Sequence, residues 1–292
     1  MSLRIRFFIL VVIGVAFIGM RGLAPPRPSA SRAFGHGPAI VLVHGLGSRA
    51  EHWLPTARLL ARRHRVVLVD LPGHGLSDMP EPLTLEHAAQ ALDQSLATQA
   101  PVPCILVGHS VGGLVAAAEA LDHPERLRGL VLIETALRPQ IAGADRAALL
   151  DALAHDYQAT MRSVYISFGR DSVQGVALYE QVARLDPEMM KSWIRLVLTT
   201  DLSGRARALT VPLLVVVSAR SWPDGEPWLS AAAELGYAGV PWLQSARIEN
   251  SGHFVMLDHP DELARLIEKF ADHPEAELVA GRYSAVALAS GR

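Results

Sequence analysis

Residues Cys104-Ile-Leu-Val-Gly108-His-Ser110-Val-Gly112-Gly113-Leu-Val-Ala-Ala-Ala118 decide how the rest of the chain is read. An apolar strand pattern runs directly into a helix pattern of small residues, with a serine at the corner. A turn this sharp forces strained backbone angles at its apex. Glycines two residues to either side, at 108 and 112, remove the side chains that would collide there. The serine hydroxyl is thereby exposed above a sheet, at a helix N-terminus whose dipole favours developing negative charge. A bare Gly-x-Ser-x-Gly arises often by chance; the strand before it and the helix after it make this one informative. Cys104, the only cysteine in the chain, opens the apolar run. It reads as a buried, inert thiol, and no intrachain disulfide can form.

Working outward, short runs rich in Val, Ile and Leu alternate with helical stretches. The runs are Ala39–Val43, Val66–Val69, Ile105–Val107, Leu130–Ile133, Leu213–Val217 and Leu243–Ile248. They lack period-two alternation, as expected of strands covered on both faces. Helical patterns lie between them at Trp53–Arg63, Leu85–Ala97, Gly113–Leu121 and Asp261–Phe270. Strand and helix in alternation predict an α/β fold, a mostly parallel central sheet flanked by helices. Residues 138–207 break the rhythm with helical patterns at Ala144–Tyr157 and Glu188–Leu198 and no clear strand. They read as a helical cap over the C-terminal edge of the sheet, where open α/β sheets bind ligands. The core is then 39–137 with 208–273, and 274–292 is a loosely held tail.

The N-terminus differs in character. Arg4 and Arg6 precede an apolar run from Phe7 to Met20, closed by Arg21. The run is shorter than the roughly 20 residues of a spanning helix and fits a signal peptide, with an uncleaved membrane anchor as the alternative. Either predicts a secreted or outward-facing, membrane-anchored protein. Residues 22–38, rich in Pro and Gly, read as a linker. With 27 Lys and Arg against 29 Asp and Glu, the net charge of −2 supplies no basic footprint for nucleic acid.

A serine hydroxyl is a weak nucleophile until a base takes its proton. Of twelve histidines, His253 in Ser251-Gly-His253-Phe stands just after the last strand and before the last helix. That loop lies at the same sheet edge as Ser110. His44, His74, His109 and His123 have plainer structural readings in turns and strand ends. Attack on a carbonyl creates an oxyanion that needs preorganised donors. The glycines of His44-Gly45-Leu46-Gly47 let backbone approach a ligand, so the amides of Leu46 and Val111 are the predicted donors.

Four segments in this order, His44-Gly-Leu-Gly, Asp70-Leu-Pro-Gly-His-Gly-Leu-Ser-Asp78, Gly108-His-Ser-Val-Gly-Gly113 and Ser251-Gly-His253-Phe, resemble the serine-nucleophile, esterase- and lipase-like branch of the α/β-hydrolase superfamily. The resemblance spans about residues 39–270 and implies a Ser–acid–His triad. It departs from the pattern twice. Residues 22–38 leave little room for the family's first antiparallel strands, which suggests a reduced sheet of about six. The position where the family usually carries its acid, after the strand Pro212–Val217, holds Ser221. Asp224, three residues on in Trp222-Pro-Asp-Gly, is one candidate acid. Glu134, at the end of the preceding strand, where some members carry it, is the other. Both preserve the chain order nucleophile, acid, histidine.

The implied activity is hydrolysis of a carboxylic ester through an acyl-enzyme, with no metal or organic cofactor required. Tryptophans at 193, 222, 228 and 242 in and after the cap suggest a small, hydrophobic ester. Acyl transfer, or cleavage of a lactone, amide or carbon–carbon bond, would use the same constellation. A binding module that has lost turnover is the third reading.

Overall fold

The structure is a computed structural model that describes residues 27–275 and 285–286. The apolar run Phe7–Met20 lies outside the described residues. In chain order the elements are β1 Ser31–Phe34, β2 Ala39–Val43, α1 Leu54–Leu60, β3 Arg65–Val69, α2 Leu85–Gln99, β4 Cys104–His109, α3 Val111–Asp122 and β5 Leu127–Ile133. Four cap helices follow: α4 Gly143–His155, α5 Tyr157–Phe168, α6 Ser172–Val182 and α7 Pro187–Thr199. The chain then returns to the core with β6 Leu213–Ser218, α8 Trp228–Glu234, β7 Leu243–Ile248, α9 Val255–Asp258, α10 Pro260–Asp272 and a two-residue β8, Ala285–Val286.

The strands form one sheet in the order β1-β3-β2-β4-β5-β6-β7-β8. Every residue of β2, β4 and β6 is buried, because helices cover both faces and water meets neither. Each buried Val, Ile or Leu contributes roughly 1.5–3 kcal/mol of transfer free energy. Strands β2 to β8 pair in parallel, and only β1 runs antiparallel, against β3. The linker reading of 22–38 is corrected for Ser31–Phe34. This short edge strand binds through its backbone, Ser31 opposite Val69 and Phe34 opposite Val66, so its sequence carries almost no apolar signature. The sheet is correspondingly larger than the reduced one expected.

Strand order reverses between β2 and β4. The loops that leave these two strands, 44–49 and 109–111, therefore open side by side at the C-terminal edge. Open α/β sheets bind ligands at such a switch point.

The cap sits over that edge. Three aspartates at 15-residue intervals start three of its helices. Asp156 accepts from the Ala159 amide at 3.1 Å, Asp171 from Gln174 at 2.8 Å and Asp186 from Glu188 at 3.0 Å. Each satisfies an amide that the first turn leaves without a partner. Helix α7 buries Met189, Met190, Trp193 and Leu198 against the core side. No helix among the described residues is long and apolar enough to cross a membrane.

Candidate active site

Ser110 stands at the apex between β4 and α3 with φ 52° and ψ −122°, a backbone region that non-glycine residues rarely occupy. Its own amide, donating to the Ile133 carbonyl at 2.9 Å, holds it there. A Cβ on Gly108 would lie 2.5 Å from the Gly112 carbonyl oxygen, and one on Gly112 would lie 2.1 Å from that of His44. The two glycines are required because backbone, which cannot step aside, occupies the space.

His253 lies on the loop between β7 and α9, and it is held from several sides. Its Nδ1 is 3.2 Å from Glu134 Oε2. Its carbonyl accepts from His109 Nε2 at 2.8 Å, and its amide donates to the Phe168 carbonyl at 2.9 Å. The Phe168 ring stacks on the imidazole at 4.6 Å and 28°, and the Arg220 guanidinium lies over the same ring, 5.3 Å from its centroid. One residue upstream, the Gly252 amide donates to Asp258 at 2.9 Å.

Glu134 is buried at the end of β5 and also has a left-handed backbone, φ 47°. Burial alone would push its pKa up. The hydrogen bond and charge of His253, with donation from the Ser218 amide at 2.5 Å and from Ser221 Oγ at 3.0 Å, outweigh burial and hold it below the ordinary carboxylate range. Ser221, which occupies the position where an aspartate was anticipated, thus acts as a donor to the glutamate one strand away. Asp224 is not brought to the site. Its side chain is 92% exposed and pairs with Arg247 on the surface, because the Trp222-Pro-Asp-Gly turn directs it outward. The expectation that Asp224 could reach His253 is corrected: Glu134 occupies that place.

The loop after β2 presents backbone to the same edge. The Gly45 carbonyl accepts from His44 Nδ1 at 2.8 Å and from the Ser48 amide at 3.2 Å. A trans peptide points its N–H opposite to its C=O, so the Leu46 amide faces away from those donors. Neither it nor the Val111 amide donates to another group among the described residues. His44 and His74 are buried; His74 Nε2 accepts from the Gly47 amide at 3.1 Å. Burial and the neighbouring His44 push the His74 pKa down to about 3, so it remains a neutral acceptor.

Two cavities meet at Ser110, Val111 and His253. One, about 180 Å³, is lined almost wholly by apolar side chains, among them Leu149, Leu153, Met161 and Ile194 of the cap. The other, about 460 Å³, is more polar and is bordered by Arg138, Arg220 and Glu226. Phe168, Val197 and Leu198 line both and so stand between them. The Ser110 hydroxyl and the His253 ring face this shared space without a hydrogen bond between them. Catalytic hydrogen bonds are often long in unliganded sites and tighten with substrate. The tryptophans do not line either cavity; Trp193 is fully buried and donates to the Pro72 carbonyl at 3.0 Å.

A model of the alpha/beta hydrolase family matches residues 40–266. The chain belongs to that family. Among similar proteins, a pimeloyl-[acyl-carrier protein] methyl ester esterase of Aeromonas hydrophila is 31% identical over 255 residues, 81% of this chain and 96% of that one. The enzyme of the same name from Nitrosospira multiformis is 26% identical over 263 residues, 82% of this chain and 96% of that one. The enol-lactonase of Burkholderia xenovorans shares the fold with a TM-score of 0.68 at 23% identity, covering 82% of this chain and 95% of that one. The secreted or membrane-anchored placement read from residues 1–21 is overturned. The hydrolase's relatives are named for an ester on an acyl-carrier protein, and the run itself lies outside the described residues.

His109, Tyr165, Phe168 and Ser221 were not singled out as site residues by the sequence. All four act by touching loops distant in the chain, which no local pattern announces. His109 stood in plain view beside the nucleophile, but its bond to the His253 carbonyl crosses 144 residues.

Proposed function

We propose that this α/β hydrolase cleaves carboxylic esters with Ser110 as nucleophile, His253 as general base and Glu134 as the acid of the triad. The observation that carries the reading is the buried Glu134–His253 contact, which points the remaining imidazole nitrogen into the space shared with Ser110. Glu134 fixes the Nδ1–H tautomer and stabilises the imidazolium that forms when the serine proton moves. The serine oxygen attacks the ester carbonyl, and its proton passes to His253. The Leu46 and Val111 amides receive the oxyanion. Collapse expels the alcohol, which takes the proton from His253, and leaves an acyl-enzyme. Water, deprotonated by the same imidazole, then releases the acid and restores Ser110.

The substrate is a small, partly hydrophobic ester. An apolar cavity of about 180 Å³ is of the size that holds a benzene-like group, since dry cavities of roughly 150 Å³ do so. One side of the ester bond fits there, and the other leaves through the larger cavity past Arg138 and Arg220. Methyl esters of carrier-bound acyl chains, the substrate type in the relatives' names, belong in the same trial as simple esters. The test is a panel of p-nitrophenyl esters of graded acyl length with wild type and Ser110→Ala. Turnover with an optimum at short to medium chains is expected, with roughly 10⁴-fold or greater loss in the variant. Ester turnover unchanged in Ser110→Ala would refute the assignment.

A further inference from the structure

We propose that Tyr165, on cap helix α5, is a positioning residue for the oxyanion site, acting on the loop that carries the Leu46 amide. The inference rests on the esterase reading and adds a residue to it. The peptide joining Leu46 to Gly47 is gripped at both ends. Its carbonyl accepts from the Tyr165 hydroxyl at 2.9 Å, and its amide donates to His74 Nε2 at 3.1 Å. The peptide before it, Gly45–Leu46, is fixed through its carbonyl by His44 and Ser48. Two successive planes held in this way leave the Leu46 amide a single direction, opposite to the donors on the Gly45 carbonyl, in a residue that lines the same cavity as Ser110.

The two grips differ in origin. His44, His74 and Ser48 belong to the core loops, whereas Tyr165 is the cap's contribution. Its ring is 2% exposed and lines the apolar cavity. Burial pushes the phenol pKa up, so the hydroxyl stays protonated and remains a donor at any working pH. Gly47 makes the contact sterically available: at φ +66°, a Cβ there would lie 2.3 Å from the Tyr165 oxygen. The glycine at this position therefore serves the tyrosine as well as the turn. The cap reaches the same loop a second time. Ser48 Oγ lies 2.7 Å from His52 Nδ1, and His52 Nε2 lies 2.8 Å from Gln181 Oε1 of α6. A cap seated on the core thus completes the oxyanion geometry besides covering the substrate.

Deleting an oxyanion donor outright costs roughly 10²–10³ in kcat; loosening one through its neighbour should cost about tenfold. The experiment compares wild type and Tyr165→Phe on p-nitrophenyl butyrate, with kcat normalised to the endpoint of fluorophosphonate labelling so that only folded sites count, and with Ser110→Ala as the unlabelled background. Wild type and Tyr165→Phe are also titrated with a short-chain trifluoromethyl ketone, which adds to the serine and places an anion in the oxyanion site, and with the matching methyl ketone, which does not. For Tyr165→Phe the expected result is kcat down about five- to thirtyfold, KM within about twofold, and affinity for the fluorinated ketone down by the same factor as kcat. Affinity for the methyl ketone should stay within about twofold. Equal weakening of both ketones, or kcat within twofold of wild type, would overturn the proposal and leave Tyr165 as a wall of the cavity. A wild type that neither labels nor turns over would overturn the esterase reading, and the positioning role with it.

Discussion

Glu134 and Asp224 show how environment gives two carboxylates different work. Asp224 projects into solvent against Arg247, where an ion pair is worth about 0–1 kcal/mol and salt screens it. Glu134 is buried, with three donors converging on it. A buried carboxylate is tolerated only when so satisfied, and the arrangement leaves it nothing to do but orient the imidazole. The glycine at 112 is as tightly specified. A methyl group there would meet the His44 carbonyl oxygen at 2.1 Å, prising the elbow away from the oxyanion loop. Gly112→Ala is expected to lose about 1–3 kcal/mol of stability and a larger factor in turnover than in folded fraction. Gly204→Ala, where a Cβ meets nothing within 4 Å, serves as the control and should be near neutral. Denaturant unfolding followed by assay of the folded protein separates the two effects.

At the scale of elements, helices α2 and α3 bury a carboxyl that the chemistry does not use. Glu119 is 1% exposed. Burial and the negative charge of Asp93 push its pKa up to about 8, with Arg126 pulling the other way and Asp122 adding to the rise. In the unfolded chain the group titrates near 4.5. Between about pH 4.5 and 8 the folded protein therefore keeps a proton that the unfolded chain releases, and stability falls as pH rises through that window. Glu119→Gln should remove this slope, gaining stability relative to wild type from pH 5.5 to 8.5 in urea titrations. Parallel curves for the two proteins would contradict a buried, protonated Glu119. The core elements were legible in the sequence because both-face burial leaves unbroken Val, Ile and Leu runs. The cap was legible only in outline. Tyr157–Phe168 and Ser172–Val182 mix small, polar and aromatic residues, and the Asp156, Asp171 and Asp186 caps that divide the cap into helices were the signal available. Ser31–Phe34 had none, since an edge strand held by backbone needs no particular side chains.

The site exists only at the scale of the whole molecule. Ser110, Glu134 and His253 leave β4, β5 and β7, and the parallel order of the sheet brings their loops to one edge. The meeting of Ser110 and His253 at one sheet edge could be read from the sequence because each sits in a local motif with a strand before and a helix after. The carboxylate that meets His253 could not. Its identity depends on which loop turns inward, and that was decided by Ser218 and Ser221 turning toward Glu134 while the Pro223–Gly225 turn swung Asp224 out. The central claim is that Ser110, His253 and Glu134 act as one unit. The most direct test is kcat/KM for p-nitrophenyl butyrate with Glu134→Gln and Asp224→Asn measured side by side. Loss of the orienting carboxylate should cost roughly 10³–10⁴-fold, while loss of the surface aspartate should leave activity within about twofold. Comparable losses in the two variants, or a severe loss in Asp224→Asn with Glu134→Gln intact, would contradict the account.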